Sequence, residues 1–253
     1  MQGPSEAIRE RRERVFLLLA GFFLCAMTML NIIGITRFVQ LGPMALAVGV
    51  LPYPLTFLCT DLVSELYGRA RANFLVTLGL ILSFFIIGTM WLGSLIPSAS
   101  QQPPWQLIQL AESVFLPNGS EVTGSVELYT LLYATTSGAV FASMMAYIAA
   151  QYCDVFLFHF WKRLTKGKHL WLRNNGSTII SQGVDSFMVI TVTFGAQFLA
   201  GAITLPALLV LMGSNYLFKL FCALADTLPF YVCVHYLTRY MELTDEELHA
   251  HAH

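Results

Sequence analysis

Long apolar segments follow one another along this chain, and they restrict the folds that it can adopt. The first runs from Val15 to Ile35 and the last from Leu205 to Leu237. A helix needs about 20 apolar residues to cross the hydrocarbon core of a bilayer. Only 11% of the residues are charged, whereas soluble domains carry roughly a quarter. The sequence therefore predicts an all-α integral membrane protein that is surrounded by a lipid bilayer.

The apolar segments define one membrane domain with a polar region at each end. The domain covers residues 15–240, after a polar segment at 1–14 and before a tail at 241–253. We predict six spans, at about 15–35, 44–60, 73–95, 128–151, 178–199 and 205–237. The second contains Pro52 and Pro54, and each proline removes a backbone donor and clashes with the preceding turn. We therefore expect that span to be kinked or partly unwound, as is tolerated beside a cavity.

The basic residues are distributed unevenly between the two sides of the predicted bundle. The loop at 153–173 is the most basic, whereas the long loop at 96–127 contains no Lys or Arg. Cytoplasmic loops are enriched in these residues. We therefore predict a multi-pass protein of the bacterial cytoplasmic (inner) membrane with both termini in the cytoplasm. In the external loop, Trp105, Ile108 and Phe115 recur at helical spacing, which predicts a short helix at the membrane interface.

Acidic residues lie deep within the last two predicted spans. Asp185 is twelve residues after Arg173. Asp226 is thirteen residues before Arg239, so both acids lie about 18–20 Å from the basic end of their helix. That depth is near the bilayer midplane, where a charge costs about 2.5–3.5 kcal/mol and where secondary transporters commonly bind their solute. Gln182 lies three residues before Asp185 and therefore shares its helical face.

The polar residues around these acids allow more than one interpretation. On the sixth helix, Asn215, Lys219 and Asp226 fall within about 40° of one another. They form a stripe that faces a substrate, or Asp226 pairs with Lys219, or Lys219 extends to the outer surface. Asp185 and Gln182 suit substrate binding and also hydrogen bonding between helices. The sequence leaves these alternatives open.

Three further polar residues lie in the first two spans. Asn31 is near the far end of the first span, and Asp61 and Glu65 close the second. For the two acids, a solvated or helix-capping role fits the sequence as well as a role in a site. We find no nucleophile with a His at a plausible depth and no metal-ligand spacing. We therefore predict no catalytic residue, no bound metal and no cofactor.

Short motifs in three of the spans together resemble those of one transporter family. The second span contains Phe57-Leu58-Cys59-Thr60-Asp61-Leu62 and then Tyr67-Gly68. The fifth contains Ser177-Thr178, Gln182, Asp185 and Phe187. The sixth contains Tyr216, Phe218-Lys219, Asp226-Thr227 and Pro229. These motifs, with Asn31 in the first span, resemble the queuosine precursor transporters, also called the vitamin uptake transporter family.

The resemblance implies a fold, a substrate and a set of binding residues. The fold is six helices arranged as in the substrate-binding subunits of energy-coupling-factor vitamin transporters. The substrate is 7-cyano-7-deazaguanine or 7-aminomethyl-7-deazaguanine, taken up for salvage into tRNA queuosine. A carboxylate accepts the two adjacent N–H donors of such a base, and an amide or a Lys donates to its carbonyl. We expect the binding side chains among Asp185, Gln182, Asp226, Lys219, Asn215, Asn31, Asp61 and Glu65.

Two other functions compete with independent uptake. The first is a substrate-binding subunit that depends on a separate ATPase module, because this chain has no Gly-rich phosphate loop of its own. The second is an intramembrane enzyme, which the absence of a catalytic motif disfavours. A purely structural membrane protein would not need acids at the midplane. Homo-oligomerisation stays open, and the net charge of -1 gives no indication of nucleic-acid binding.

Overall fold

A computed structural model describes residues 6–34, 36–42, 44–98, 103–115, 121–166, 169–199, 201 and 203–244. Most of these residues are helical. The helices are α1 Glu6–Ile33, α2 Tyr53–Tyr67, α3 Arg69–Leu95, α4 Leu128–Leu164, α5 Leu170–Leu199 and α6 Leu205–Tyr240. Within the described ranges, α1, α3 and α6 are long and apolar enough to cross a membrane. The part of the predicted tail beyond residue 244 lies outside the described residues.

Three pairs of short antiparallel strands complete the structure. They are β1 Phe38–Leu41 with β2 Met44–Ala47, β3 Leu107–Gln109 with β6 Ser125–Glu127, and β4 Val114–Phe115 with β5 Glu121–Val122. The first pair leads through a 3₁₀ turn, Val48–Val50, into α2. The other two pairs lie between α3 and α4, where each strand satisfies the backbone groups of its partner.

The short helix α2 is central to the packing of the bundle. It contacts α1, α3, α4 and α6, while α5 packs between α4 and α6. One face of α2 joins an apolar cluster with α1, α3 and α4 that includes Phe23, Phe57, Val63 and Leu75. Large apolar side chains also cover the outside of the bundle, among them Leu17, Phe22, Phe85, Phe221 and Leu228. An apolar exterior around a polar interior is the arrangement expected in lipid.

The predicted unwinding of the second span is confirmed. Residues 44–50 form a strand and a 3₁₀ turn, and the α-helix begins only at Tyr53, directly after Pro52. A proline in the first helical turn costs no backbone hydrogen bond. The 3₁₀ turn packs closely on the end of α1. Its Gly49 amide donates to the Gly34 carbonyl at 3.0 Å. A Cβ on Gly49 would lie only 2.6 Å from the Gly34 Cα.

The predicted interfacial helix between the third and fourth spans is wrong. Residues 107–109, 114–115, 121–122 and 125–127 form strands, and Trp105 lies in a 3₁₀ turn, Pro104–Gln106. A helix confined between the prolines of this loop would be too short to be stable alone. Pairing Ile108 with Val126 instead closes the loop through cross-strand hydrogen bonds.

The predicted boundary between the fourth span and the basic loop is also wrong. Helix α4 continues to Leu164, and α5 begins at Leu170. The positions buried in this stretch recur at helical spacing: Ala150, Gln151, Asp154, Val155, Phe158, His159 and Lys162. Such a stripe keeps a helix packed against its neighbours. Two of the basic residues that indicated a loop, Lys162 and Arg163, lie in its last turn, where they interact favourably with the helix dipole.

One end of the bundle is held together by contacts between the start of α1 and the end of α6. Arg12 donates to the Met241 carbonyl at 3.1 Å. Arg11 and Glu242 form an exposed ion pair, also at 3.1 Å. The Tyr67 hydroxyl, at the end of α2, donates to the Arg12 carbonyl at 2.7 Å. These contacts fix α1, α2 and α6 relative to one another at this end.

Candidate functional site

A pocket lies between the start of α2 and the facing sides of α5 and α6. The space inside it that no atom fills is about 260 Å³, and this figure includes space open to solvent. Its lining combines apolar and aromatic side chains with Gln182 from α5 and with Lys219 and Asp226 from α6. This mixture of an apolar wall and a few polar groups is typical of small-molecule sites.

The unwound start of α2 supplies the aromatic side of the pocket. Tyr53 and Phe57 are four residues apart on the helix and therefore lie on one face. Their ring centroids are 5.3 Å apart, and both rings are almost completely buried. Pro54 and, from α6, Phe218 also line the pocket. Flat aromatic surfaces of this kind stack on planar ring systems.

A buried ion pair between α5 and α6 adjoins the pocket. The Lys219 ammonium donates to Asp185 Oδ2 and lies 4.1 Å from the centroid of the Tyr53 ring. Lys219 is 5% exposed and Asp185 0%. Of the interpretations that the sequence left open for Lys219, the structure contains neither the extension to the outer surface nor a pair with Asp226. Removing one partner of a buried ion pair typically costs about 3–5 kcal/mol.

The polar groups at the pocket differ in how far they are satisfied. Gln182 is 3% exposed, and its Oε1 accepts no hydrogen bond from the described residues. The same holds for Asp185 Oδ1, the carboxylate oxygen that Lys219 does not contact. Asp226 is only partly buried and lines the pocket directly, whereas Asp185 lies behind Lys219. The site therefore presents acceptors from two helices and one ammonium donor.

Five of the eight residues predicted for the site do not line this pocket, among them Asn31 and Asn215. Asn31 donates to the Ser83 hydroxyl at 2.9 Å and thereby joins α1 to α3. Asn215 is buried on α6, one helical turn before Lys219, but is not among the pocket-lining side chains. The predicted stripe of Asn215, Lys219 and Asp226 thus contributes two of its three members to the pocket.

Asp61 and Glu65 belong to a second buried polar cluster instead of the pocket. Both acids are nearly inaccessible to solvent, so the solvated role that the sequence allowed does not apply. Glu65 faces Lys162 of α4 at 3.3 Å. The Asp61 side chain is within hydrogen-bonding range of Asp154 of α4, and Asp154 accepts from the Ser181 hydroxyl at 2.8 Å. We call these five residues the inner acid cluster.

Several residues of the two sites were not identified from the sequence. Asp154 and Lys162 fell within the segment predicted as a basic loop, and Tyr53 was not among the residues predicted for the site. The eight-residue spacing of Asp154 and Lys162, with Phe158 midway, was a usable signal because it repeats on one helical face. No sequence pattern indicated that Thr227 of α6 donates to Asn175 of α5 at 2.9 Å.

Comparison with known proteins gives two matches. Residues 47–234 match the model of a family described as "Putative vitamin uptake transporter". Over 165 residues the chain is 26% identical to a protein of Bacillus subtilis (strain 168) described as "Probable queuosine precursor transporter". That alignment covers 63% of this chain and 61% of the relative, so it spans less than two thirds of the relative's length. No solved structure matches the chain.

Proposed function

The chain belongs to the family of vitamin uptake transporters, and from this premise we propose that it carries a deazaguanine precursor of queuosine into the cell. The observation that carries the proposal is the small pocket in which aromatic rings face Gln182, Lys219 and Asp226. A flat base with adjacent N–H donors and one carbonyl needs a stacking surface, an acceptor and a donor. The pocket supplies one of each.

The proposed membrane arrangement has six spans, α1 to α6, with both termini in the cytoplasm of a bacterial inner membrane. The apolar exterior of the bundle supports it. The hydrogen bond from Arg12 to the Met241 carbonyl supports it as well, because it brings the start of α1 and the end of α6 to the same end of the bundle. With this orientation, the pocket at the start of α2 lies toward the outer side. The fold proposed by analogy is that of the substrate-binding subunits of energy-coupling-factor transporters.

Within the pocket, we assign the donor edge of the base to a carboxylate. Asp226 is the better placed of the two acids, because it lines the pocket and the described residues give it no ion-pair partner. Asp185 already receives Lys219 on one oxygen, and its other oxygen remains as a second acceptor behind the pocket wall. Lys219 and the Gln182 amide are placed to donate to the carbonyl of the base. A carboxylate that accepts two N–H donors at once gives a charge-assisted, geometrically specific contact.

The aromatic wall explains how a neutral, flat solute is held beside these polar groups. Tyr53 and Phe57 project from the first turns of α2, whose start is fixed by Pro52 and Pro54. Stacking of a base on an aromatic side chain contributes about 1–3 kcal/mol. The Lys219 ammonium above the Tyr53 ring is held by both the ring and Asp185. We therefore expect Lys219 to keep its position whether or not solute is bound.

Binding of radiolabelled 7-cyano-7-deazaguanine to the purified protein tests the proposal. Guanine, which has the same donor and acceptor edge, should compete, and adenine should not. A site built to pair a donor edge rejects a base that lacks it, because the carboxylate would be left buried and unpaired. Absence of binding, or equal competition by adenine, would contradict the proposed substrate.

A second experiment separates independent uptake from dependence on an ATPase module. The chain is expressed in cells that cannot make the deazaguanine base and that lack every coupling-factor module. Restoration of queuosine in tRNA by either precursor supports independent uptake. Binding by the purified protein without any uptake in these cells would instead support the substrate-binding-subunit function.

A further inference from the structure

The inner acid cluster lies within two helical turns of the pocket and shares helices with it. On α2, Phe57 lines the pocket and Asp61 follows four residues later, about 6 Å along the axis. On α5, Ser181 of the cluster directly precedes Gln182 of the pocket. Two of the elements that hold the solute pocket therefore also hold the cluster.

The central feature of the cluster is the contact between two carboxyl groups. The side chains of Asp61 and Asp154 are within hydrogen-bonding range of each other, although α2 and α4 are distant in sequence. An ionised carboxylate only accepts hydrogen bonds, so two of them bond to each other only when a proton lies between them. The Ser181 hydroxyl donates to Asp154 Oδ1 at 2.8 Å and thereby joins α5 to this pair.

The other ionisable groups around Asp61 are mostly acidic. Glu65 lies one turn along α2 and Asp226 lies across from α6, and both act on Asp61 electrostatically. Lys162 of α4 is the cation of the cluster and is paired with Glu65. His159 is buried on the same stretch of α4, next to the Phe158 ring.

The remaining neighbours of α2 add no charge to the described part of this cluster. Helices α1 and α3 pack on α2 through apolar side chains such as Phe23, Met27 and Leu75. On α5 the nearest described member is the neutral Ser181. Among the described residues, Asp154, Glu65 and Asp226 thus act on Asp61 as like charges, and a bound proton relieves their repulsion.

Two further buried polar side chains lie on the same helical faces as the acid pair. Gln151 is completely buried, and neither its Oε1 nor its Nε2 has a hydrogen-bond partner in the described residues. It lies three residues before Asp154 and therefore on the same face of α4. The hydroxyl of Ser64, three residues after Asp61 on α2, is likewise buried and without a partner there. Buried polar groups are normally satisfied by protein or by ordered water, so these side chains fit a hydrated proton path.

We propose that Asp61 and Asp154 form a proton-binding site that couples solute uptake to the proton gradient. The proposal rests on the proposed uptake function and names its driving ion. One proton enters the carboxyl pair from the outer side, accompanies the solute through the bundle and is released to the cytoplasm. A base whose N–H donors bind Asp226 holds that carboxylate in its ionised form, and the negative charge of Asp226 favours a proton on Asp61. The solute and the proton thus reinforce each other's binding.

Reconstituted liposomes that contain the full-length protein test this coupling. Neutral 7-cyano-7-deazaguanine is supplied outside, the interior is one pH unit more alkaline, and the membrane potential is held at zero. One proton per solute predicts up to about tenfold accumulation inside for each pH unit. A sodium gradient at equal pH should give none. Accumulation that follows sodium and not pH would overturn the proposal.

Exchange of labelled for unlabelled solute, without any gradient, distinguishes solute transport itself from its coupling to protons. Asp154→Asn cannot share a proton with Asp61, so it should still exchange solute and should lose accumulation driven by pH. Glu10→Gln, which alters an exposed acid at the start of α1, should behave like the unaltered protein. Exchange without pH-driven accumulation in the unaltered protein would refute the coupling alone. Failure of the unaltered protein to exchange would refute the proposed uptake itself.

Ser181→Ala provides a second test if Asp154→Asn does not fold. It keeps both acids and removes only the hydroxyl that donates to Asp154. If the pair binds the coupling proton, the pH at which uptake is half-maximal should shift while the exchange rate at saturating solute changes less than about twofold. Proton entry upon solute addition, followed with a pH-sensitive dye inside the liposomes, should parallel uptake. An unshifted pH profile in Ser181→Ala, with no proton entry, would overturn the proposal.

Discussion

Asp226, which lines the pocket, and Asp185, which lies behind it, should give opposite results for binding and stability when each is replaced by its amide. In Asp226→Asn, one acceptor becomes a donor that faces the N–H groups of the base. Loss of a charge-assisted bond and the resulting mismatch together cost about 2–4 kcal/mol. Because every 1.4 kcal/mol is about tenfold, the dissociation constant should rise by roughly 30- to 1000-fold. The melting temperature should hold, since the described residues give Asp226 no cationic partner that would be left behind.

Asp185→Asn disturbs a different interaction. It removes the charge that the buried Lys219 ammonium contacts, and Lys219 is 5% exposed. An uncompensated buried charge lowers the free energy of unfolding by about 3–5 kcal/mol. The double variant Asp185→Leu with Lys219→Met should recover most of this stability, because it removes both charges together. It should not recover binding, since Lys219 lines the pocket.

Equilibrium binding of labelled base and thermal unfolding in the same detergent measure both quantities. Thr227→Val is the matched control, because Thr227 adjoins Asp226 and bonds to Asn175 at 2.9 Å without lining the pocket. It should lose about 1 kcal/mol of stability and bind the base within about twofold of the unaltered protein. If Asp226→Asn binds normally and Asp185→Asn loses binding at unchanged stability, the assignment of the donor edge to Asp226 is refuted and Asp185 is the ligand.

Three further predictions concern topology, the start of α2 and Asn31. In a cysteine-free background, external labelling should modify a Cys placed at Glu112 and not one placed at Lys166; the reverse pattern would invert the membrane orientation. Replacing both Pro52 and Pro54 by Ala should extend α2 and reduce uptake at unchanged protein level in the membrane; normal uptake would show that the prolines are incidental. Asn31→Ala should lower stability by about 1 kcal/mol through loss of the bond to Ser83, with unchanged binding of the base; weakened binding at full stability would place Asn31 in the site.

The sequence allowed the helices to be predicted where each could be recognised from its own residues. Apolar length alone identified α1, α3 and α6, and the two prolines of the second span indicated its unwound start. Prediction failed where a segment takes its structure from a segment that is distant in the sequence. The strands at 107–109 and 125–127 satisfy each other, and helical spacing within one of them carries no information about the other.

The sequence allowed some of the residues at the site to be predicted, but not which of them pair with one another. Helical periodicity placed Lys219 and Asp226 on one face of α6, and both line the pocket. The ion pair of Lys219 with Asp185 depends on the relative rotation of α5 and α6, which neither segment specifies alone. Asp154 was overlooked because basic residues follow it closely, and their charge indicated a loop before the burial of Lys162 was known.

The shortness of α2 and its buried acids have a consequence for how the chain enters the membrane during synthesis. With 15 residues, α2 is about 22 Å long and does not cross a 30 Å core unaided. Its partner Lys162 follows Glu65 by 97 residues, about 5–20 s of translation. During that interval the acids of α2 have no partner from α4, and each disfavours insertion by about 2.5–3.5 kcal/mol. We expect the insertion machinery to retain α2 beside α1 and α3 until α4 arrives, so substitutions at Lys162 should reduce the yield of inserted protein.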